Sequence, residues 1–192
     1  MKSNPRFGKQ AFTLVELMAV ITIIVILASL VVKGMSFVTD KQAKSKAQVQ
    51  IELMSKAIQE YKLDMGKYPG VDDNSPANGS KMSEELYEAL FYEGYDFAEN
   101  PGRNDADLAT KIYLPELDPS SSKQGWTGPA TKIPARTQIK DPWGREFRYR
   151  KGNNAQNPDF DLWSTGKDGE SNTGNSSGAL NDPKNRDDLR NF

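Results

Sequence analysis

The side chains with chemistry to offer in this 192-residue sequence are its carboxylates, because it contains neither Cys nor His. That absence removes thiolate nucleophiles, imidazole bases, disulfides and the usual zinc and iron–sulfur ligand sets. Any metal held here would be a hard cation with oxygen ligands. Three carboxylate positions stand out. Glu16 is the one charged residue in the run from Phe12 to Val32, Glu84 and Glu85 are neighbours in a helix-like stretch, and Asp187 and Asp188 are neighbours near the C-terminus. Hydrolysis by paired carboxylates needs a fixed separation, about 5 to 9.5 Å, which adjacent residues on a flexible segment do not define. With no G-x-S-x-G motif either, a membrane-anchored enzyme is the weakest functional reading.

Glu16 is the position where chemistry and placement conflict. About 21 residues from Phe12 to Val32, at roughly 1.5 Å each, reach about 31 Å and match the hydrocarbon thickness of a bilayer. A lone charge at the centre of such a helix costs about 2.5 to 3.5 kcal/mol, so it must be paired or neutralised, or must reach the headgroups. The whole chain has a mean hydropathy of −0.69, so everything outside this run is strongly hydrophilic. Ahead of it, residues 1–11 carry Lys2, Arg6 and Lys9 and no acid. A secretory signal has a shorter apolar core and a small-x-small cleavage site after it, so this run reads as a retained anchor. Basic residues on the far side, Lys33, Lys41, Lys44 and Lys46, leave the orientation open.

The elements that must position these groups follow from periodicity. Ala47, Ile51, Met54, Ile58, Tyr61 and Met65 alternate steps of four and three, an apolar stripe on one helix face. With no Pro between Phe12 and Lys67, a single helix from about Phe12 to about Leu63 is allowed, roughly 78 Å long. Gly66 and Tyr68-Pro69-Gly70 stop it. The stripe lacks a sustained e/g charge pattern, so it is expected to pack on the protein's own domain and not in a free coiled coil. From Val71 to Lys140 the sequence is loop-like, with one helical island, Ser83 to Phe91, for which Ser83 is the expected N-cap. Glu146–Arg150 and Phe160–Ser164 read as two antiparallel strands joined by Lys151–Pro158, and Thr165–Phe192 as a polar tail. Trp126, Trp143 and Trp163 are expected to pack in the core or loops. Charges of 25 Lys plus Arg against 26 Asp plus Glu give no reason to expect nucleic acid as a partner.

The block Lys9-Gln10-Ala11-Phe12-Thr13-Leu14-Val15-Glu16 followed by the apolar run resembles the class III signal of the type IV pilin-like superfamily, with Ala11 where Gly is usual. Within it, Lys44-Ser45-Lys46-Ala47, Glu60 to Pro69, Asp141-Pro142-Trp143-Gly144-Arg145-Glu146-Phe147 and Phe160 to Gly169 resemble the major pseudopilin family of type II secretion systems. Lys33-Gly34 stands where that family commonly has Pro. The resemblance implies an α+β, type IV pilin-like fold: a long N-terminal helix packed on a small C-terminal antiparallel sheet domain with loop-rich insertions. It implies a cleaved basic leader at 1–11, a transmembrane and assembly half-helix at 12–33, an amphipathic half at 34–66 and a periplasmic globular domain at 67–192. It further implies cutting by prepilin peptidase between Ala11 and Phe12, methylation of Phe12, and homo-polymerisation in which Glu16 attracts the N-terminal amine of a neighbouring subunit. The protein would be single-pass in the cytoplasmic (inner) membrane. Its partners would be membrane lipid, minor pseudopilins, other inner-membrane components and an assembly ATPase. A type IV or DNA-uptake pilin shares the signal and stem and is the alternative.

The same resemblance implies calcium. Many type IVa pilins close their C-terminal loop with a disulfide, which a chain without Cys cannot do, and the major pseudopilins pin that region with a calcium ion. On matching positions the ligands would be the Thr165 carbonyl, Asp168, Asp187 and Asp188, with Asn181 and Asp182 as substitutes in the longer loop between Asp168 and Asp187. The pattern is not an EF-hand, since the sixth position from Asp168 is Thr173. A solvated acidic loop is the alternative. Removal of residues 1–11 takes away three basic residues and would move the formal charge from −1 to −4. Mass spectrometry of protein from its native membrane should find a chain beginning at N-methylated Phe12; an intact Met1 would contradict the processing expectation.

Overall fold

The computed structural model describes residues 12–70, 82–102, 107–121, 126–128, 132–172 and 181–192. Its described residues divide into two compact units, one ending at Lys41 and one formed by Gln42–Phe192. Helix α1, Leu14–Met65, has 52 residues, about 78 Å at 1.5 Å per residue. It begins and ends two residues later than its pattern suggested and runs unbroken through Lys33-Gly34, so one glycine, worth about 1 kcal/mol against Ala, does not interrupt it. Gly66, at φ +73°, ends it, and its N–H donates to the Lys62 carbonyl at 2.8 Å. In the first unit, Leu14–Val31 is long and apolar enough to cross a membrane and is exposed along its whole length.

The stripe on the second half of α1 is buried as its spacing required. Ala47, Ile51, Met54, Ile58 and Tyr61 are buried and Met65 is partly so. On this face packs a run of short helices, α2 (Met82–Tyr87), a π-helical turn (Glu88–Tyr92) and α3 (Glu93–Glu99). The helical island is thus twice as long as its core pattern, and Ser83 is not a cap. It lies inside α2, where its hydroxyl accepts from Ile139 N–H at 3.0 Å, tying the helix to the chain entering the sheet. Met82, Leu86, Tyr87, Leu90 and Phe91 complete the core together with Leu114, Leu117 and Trp126.

Among the described residues the sheet has three antiparallel strands in the order β1 (Arg148–Lys151), β2 (Phe160–Ser164), β3 (Leu189–Arg190). The first two match the expected pair with a shifted start, since Glu146 sits in an isolated bridge with Lys140. The third was not expected from a polar tail. Trp163 pairs with Arg190 and Ser164 with Leu189. Asn191 extends this edge with its side chain, accepting from Leu162 N–H at 2.7 Å and donating to Phe160 O at 3.2 Å. The α+β, type IV pilin-like architecture is the one observed.

Every residue of β2 is buried. Phe160 and Leu162 face the main core, while Asp161 and Trp163 face the other way, as alternation dictates. On that second face Arg150, the register partner of Asp161, donates through Nε to Asp161 Oδ2 at 2.5 Å, both side chains being fully buried. The Arg150 guanidinium lies over the Trp163 and Phe192 rings, at 5.0 and 5.9 Å. Asp161 also accepts from Gln156 N–H at 2.8 Å and Asn157 N–H at 2.9 Å, shaping the β1–β2 connection. Breaking a buried pair leaves an uncompensated charge, so Asp161→Ala should lower unfolding free energy by about 3 to 5 kcal/mol in denaturant titration of the detergent-solubilised chain. A loss under about 1 kcal/mol would show that this pair does not hold the sheet.

Candidate functional site

Two groups of residues carry the chemistry expected from the sequence, one at the start of α1 and one between β2 and β3. Ala11 lies outside the described residues. Phe12 is the first described residue and is highly exposed. Next to it, Thr13 and Glu16 grip each other. Thr13 N–H and Thr13 Oγ1–H both donate to Glu16 Oε2 at 2.9 Å, and Glu16 N–H donates to Thr13 Oγ1 at 3.2 Å. This is a capping box, in which two otherwise orphaned donors of the first helical turn are satisfied reciprocally. Sequence reasoning treated Glu16 as a lone carboxylate. The signal that identifies its local partner, Thr-x-x-Glu before an apolar run, is in plain view in the sequence.

The second group is built by two interlocking turns. Asp141-Pro142-Trp143-Gly144 closes through Gly144 N–H to Asp141 O at 2.9 Å. Buried Asp141 organises it: Oδ1 accepts from Trp143 N–H at 3.0 Å and Arg145 N–H at 2.9 Å, and Oδ2 accepts from the Ser164 hydroxyl at 2.6 Å. Ser164 ends β2 and accepts in turn from Gly166 N–H at 3.2 Å. Arg145 reaches the same turn from the other side, donating through Nη1 to Gly166 O at 2.7 Å. Asp141, Arg145 and Ser164 therefore belong to the site, although their sequence motifs gave no hint of a shared role.

Asp187 approaches this turn from the C-terminal segment. Its Oδ2 accepts from Lys167 N–H at 2.7 Å and Asp168 N–H at 3.1 Å. Gly166 has φ +63°, and a Cβ there would lie 2.5 Å from Asp187 O, so both the backbone conformation and the close approach require glycine. Thr165 is buried and its carbonyl accepts from Gly169 N–H at 3.2 Å. Asp168 is exposed, with Oδ1 accepting from Glu170 N–H at 2.8 Å. Asp188 Oδ2 accepts from the Ser171 hydroxyl at 2.7 Å, with Arg190 Nη2 3.8 Å away. Burial pushes the Asp188 carboxyl up to about 6, and the neighbouring charges of Asp187 and Asp168 add to this against Ser171 and Arg190. Asp182 caps the turn Pro183–Asn185, accepting from Lys184 N–H at 3.0 Å and from the Asn172 amide at 2.7 Å.

The fold thus gathers Thr165, Asp168 and Asp187 on one turn, with Asp188 next in the chain. Among the described residues no three carboxylates converge into a ready-made metal cluster. Two atoms nevertheless suit a hard cation. Asp187 Oδ1 and Asp188 Oδ1 are buried and accept no hydrogen bond, and buried unsatisfied carboxylate oxygens attract a positive partner. The adjacent carboxylates Glu84 and Glu85 sit half-buried on α2. Trp126 and Trp163 are buried and Trp143 is partly buried, so the tryptophans serve packing.

The family model for type II secretion system protein G matches residues 36–107 and 112–182, most of the described second unit. The chain belongs to this family. The prokaryotic N-terminal methylation motif matches residues 6–32. The core protein G of the type II secretion system from Escherichia coli (strain K12) is 31% identical over 165 residues, covering 86% of each chain. Its counterpart from Vibrio cholerae serotype O1 is 29% identical over 171 residues, covering 88% of this chain and 90% of the relative. That from Aeromonas hydrophila is 29% identical over 173 residues, covering 90% and 93%. The protein is accordingly a type II secretion pseudopilin, a structural subunit anchored to a membrane by its N-terminal helix.

Proposed function

We propose that this pseudopilin is processed by prepilin peptidase between Ala11 and Phe12 and polymerises through α1 into a pseudopilus that helps to export folded proteins. The observation that carries this reading is Glu16, the single charge in a membrane-length helix, held four residues from the position that would become the N-terminus. A methylated amine on Phe12 would remain cationic. Opposite unit charges 4 Å apart attract by about 4 kcal/mol at an effective dielectric constant of 20, enough to bring an incoming helix into register. Thr13 holds the Glu16 carboxylate through Oε2, which limits the rotamer freedom lost when an amine is captured. Residues 12–33 would be the transmembrane and assembly segment, 34–66 the amphipathic stem and 67–192 the periplasmic domain, in a single-pass protein of the inner membrane. Minor pseudopilins, other inner-membrane components and a cytoplasmic assembly ATPase would be its partners.

The acidic turn supports calcium as the ion that orders the C-terminal segment, with Thr165 O, Asp168, Asp187 and Asp188 as its donors. When bound, the ion would supply charge neutralisation for carboxylates crowded in a part of the chain with few apolar residues. Ordering a residue costs about 1 to 2 kcal/mol, and a polar segment has little hydrophobic burial to offset it. The unsatisfied Oδ1 atoms of Asp187 and Asp188 favour the ion over a merely solvated loop.

Glu16→Ala should be cleaved normally yet fail to complement secretion in a strain lacking the wild-type gene. Normal secretion by that variant would remove the assembly role assigned to Glu16. Calcium at a hundredfold excess over its Kd should stabilise the detergent-solubilised chain by about 2.7 kcal/mol and raise Tm by about 5 to 10 °C relative to chelator. An unchanged transition would leave the turn as plain loop.

A further inference from the structure

We propose that Arg145 is the positioning residue of the acidic turn, holding Asp187 in its ion-receiving geometry through a single peptide group; this rests on the calcium reading above. The argument begins with the backbone. Arg145 Nη1 donates to the carbonyl of Gly166, and the N–H of the same peptide unit, that of Lys167, donates to Asp187 Oδ2. A trans peptide is planar, with its C=O and N–H directed to opposite sides. Arg145 and Asp187 therefore grip the two edges of one rigid plate. The preceding plate, Thr165–Gly166, is fixed in the same manner, because its N–H is held by the Ser164 hydroxyl, which directs the Thr165 carbonyl to the opposite side.

Arg145 is itself immobilised. Its N–H donates to Asp141 Oδ1 and its carbonyl accepts from Asp141 N–H at 2.7 Å, so its backbone is clamped on both sides. Its side chain fills the space beneath Gly169, where an added Cβ would come within 2.2 Å of Arg145 Nε. Polarisation runs in one direction along this chain of bonds, from guanidinium through the peptide to carboxylate, and a charged donor strengthens the far N–H bond to Asp187. Without Arg145 the Gly166–Lys167 plate keeps its grip on Asp187 but loses the one on its carbonyl edge, so the turn and the Asp187 carboxylate, still held by the Lys167 and Asp168 N–H groups, are less firmly ordered. The cost of ordering the turn then moves to the ion-binding event and weakens it.

This role differs in sign from simple electrostatics. Arg145 is a cation beside the place where a cation is received, so field effects alone predict tighter calcium binding when it is removed. Positioning predicts weaker binding. The test is calorimetric titration of calcium chloride into the detergent-solubilised full chain, wild type against Arg145→Ala and Arg145→Gln. Loss of a charge-assisted hydrogen bond and its ordering effect predicts affinity lower by roughly tenfold for Arg145→Ala. Arg145→Gln, which keeps an amide donor without the charge, should fall between that variant and wild type. Equal or tighter binding by Arg145→Ala, with wild type binding calcium, overturns the positioning role and leaves the calcium reading intact. Failure of the wild type to bind overturns both. Should Arg145→Ala not fold, hydrogen exchange on the calcium-free wild type decides: the Lys167 and Asp168 amides should be protected, and free exchange at both overturns the proposal.

Discussion

The second unit depends on one helix face. Ile51, Met54, Ile58 and Tyr61 form a strip about one side chain wide on α1, and the short helices, the loop segments and the core face of the sheet are all built against it. A protein of this composition has few other apolar surfaces to use. The sheet contributes mainly Tyr149, Phe160 and Leu162 to this core, and the loop-rich segment supplies Leu114, Leu117 and Trp126. At about 25 cal/mol per Å² of buried apolar surface, such side chains are worth about 1.5 to 3 kcal/mol each, so the loss of any one position on the strip is felt throughout the unit. Over Leu14–Val31 the same helix, Glu16 apart, carries no charge and is long and apolar enough to cross a membrane.

Polar interlocks do at the C-terminal end what apolar burial does on α1. Fully buried Arg150 and Asp161 pair across β1 and β2, with Trp163 and Phe192 covering the guanidinium. Asp141 ties the turn before β1 to the end of β2 through Ser164. Buried charges and hydroxyls are tolerated only when their hydrogen-bonding capacity is met, and Asp141 and Asp161 meet it by accepting from several backbone N–H groups as well as from a side chain. Among the described residues, the carboxylates with a buried oxygen that accepts no hydrogen bond are Asp187 and Asp188, beside the turn that follows β2.

Much of the fold was legible because it rests on local periodicity. The length of α1, the buried stripe, the stop at Gly66 and the pairing of β1 with β2 all follow from spacing and turn residues. Ser83 shows the limit of such reasoning: its type and place before a helical pattern suit an N-cap, but a backbone 56 residues away claims its hydroxyl. The third strand shows another. Leu189–Arg190 carries no strand pattern, and becomes one because β2 presents an open edge and Asn191 supplies amide groups that imitate a backbone. The Thr13–Glu16 box is equally legible, as Thr-x-x-Glu before an apolar run.

The family, the membrane-length helix and the identity of the carboxylates can be read from the order of residues alone. These depend on residue type and short spacing, which survive without coordinates. Which carboxylates are already satisfied emerges only when the chain folds. Asp141, Asp168, Asp182, Asp187 and Asp188 look alike in a polar sequence, yet hydrogen bonds from residues up to 23 positions distant make Asp141 a structural node, while those to Asp187 and Asp188 leave one oxygen of each unmet. The role of Arg145 was equally invisible, because it acts through a peptide group 21 residues away. Only folding brings the two edges of that peptide between a guanidinium and a carboxylate.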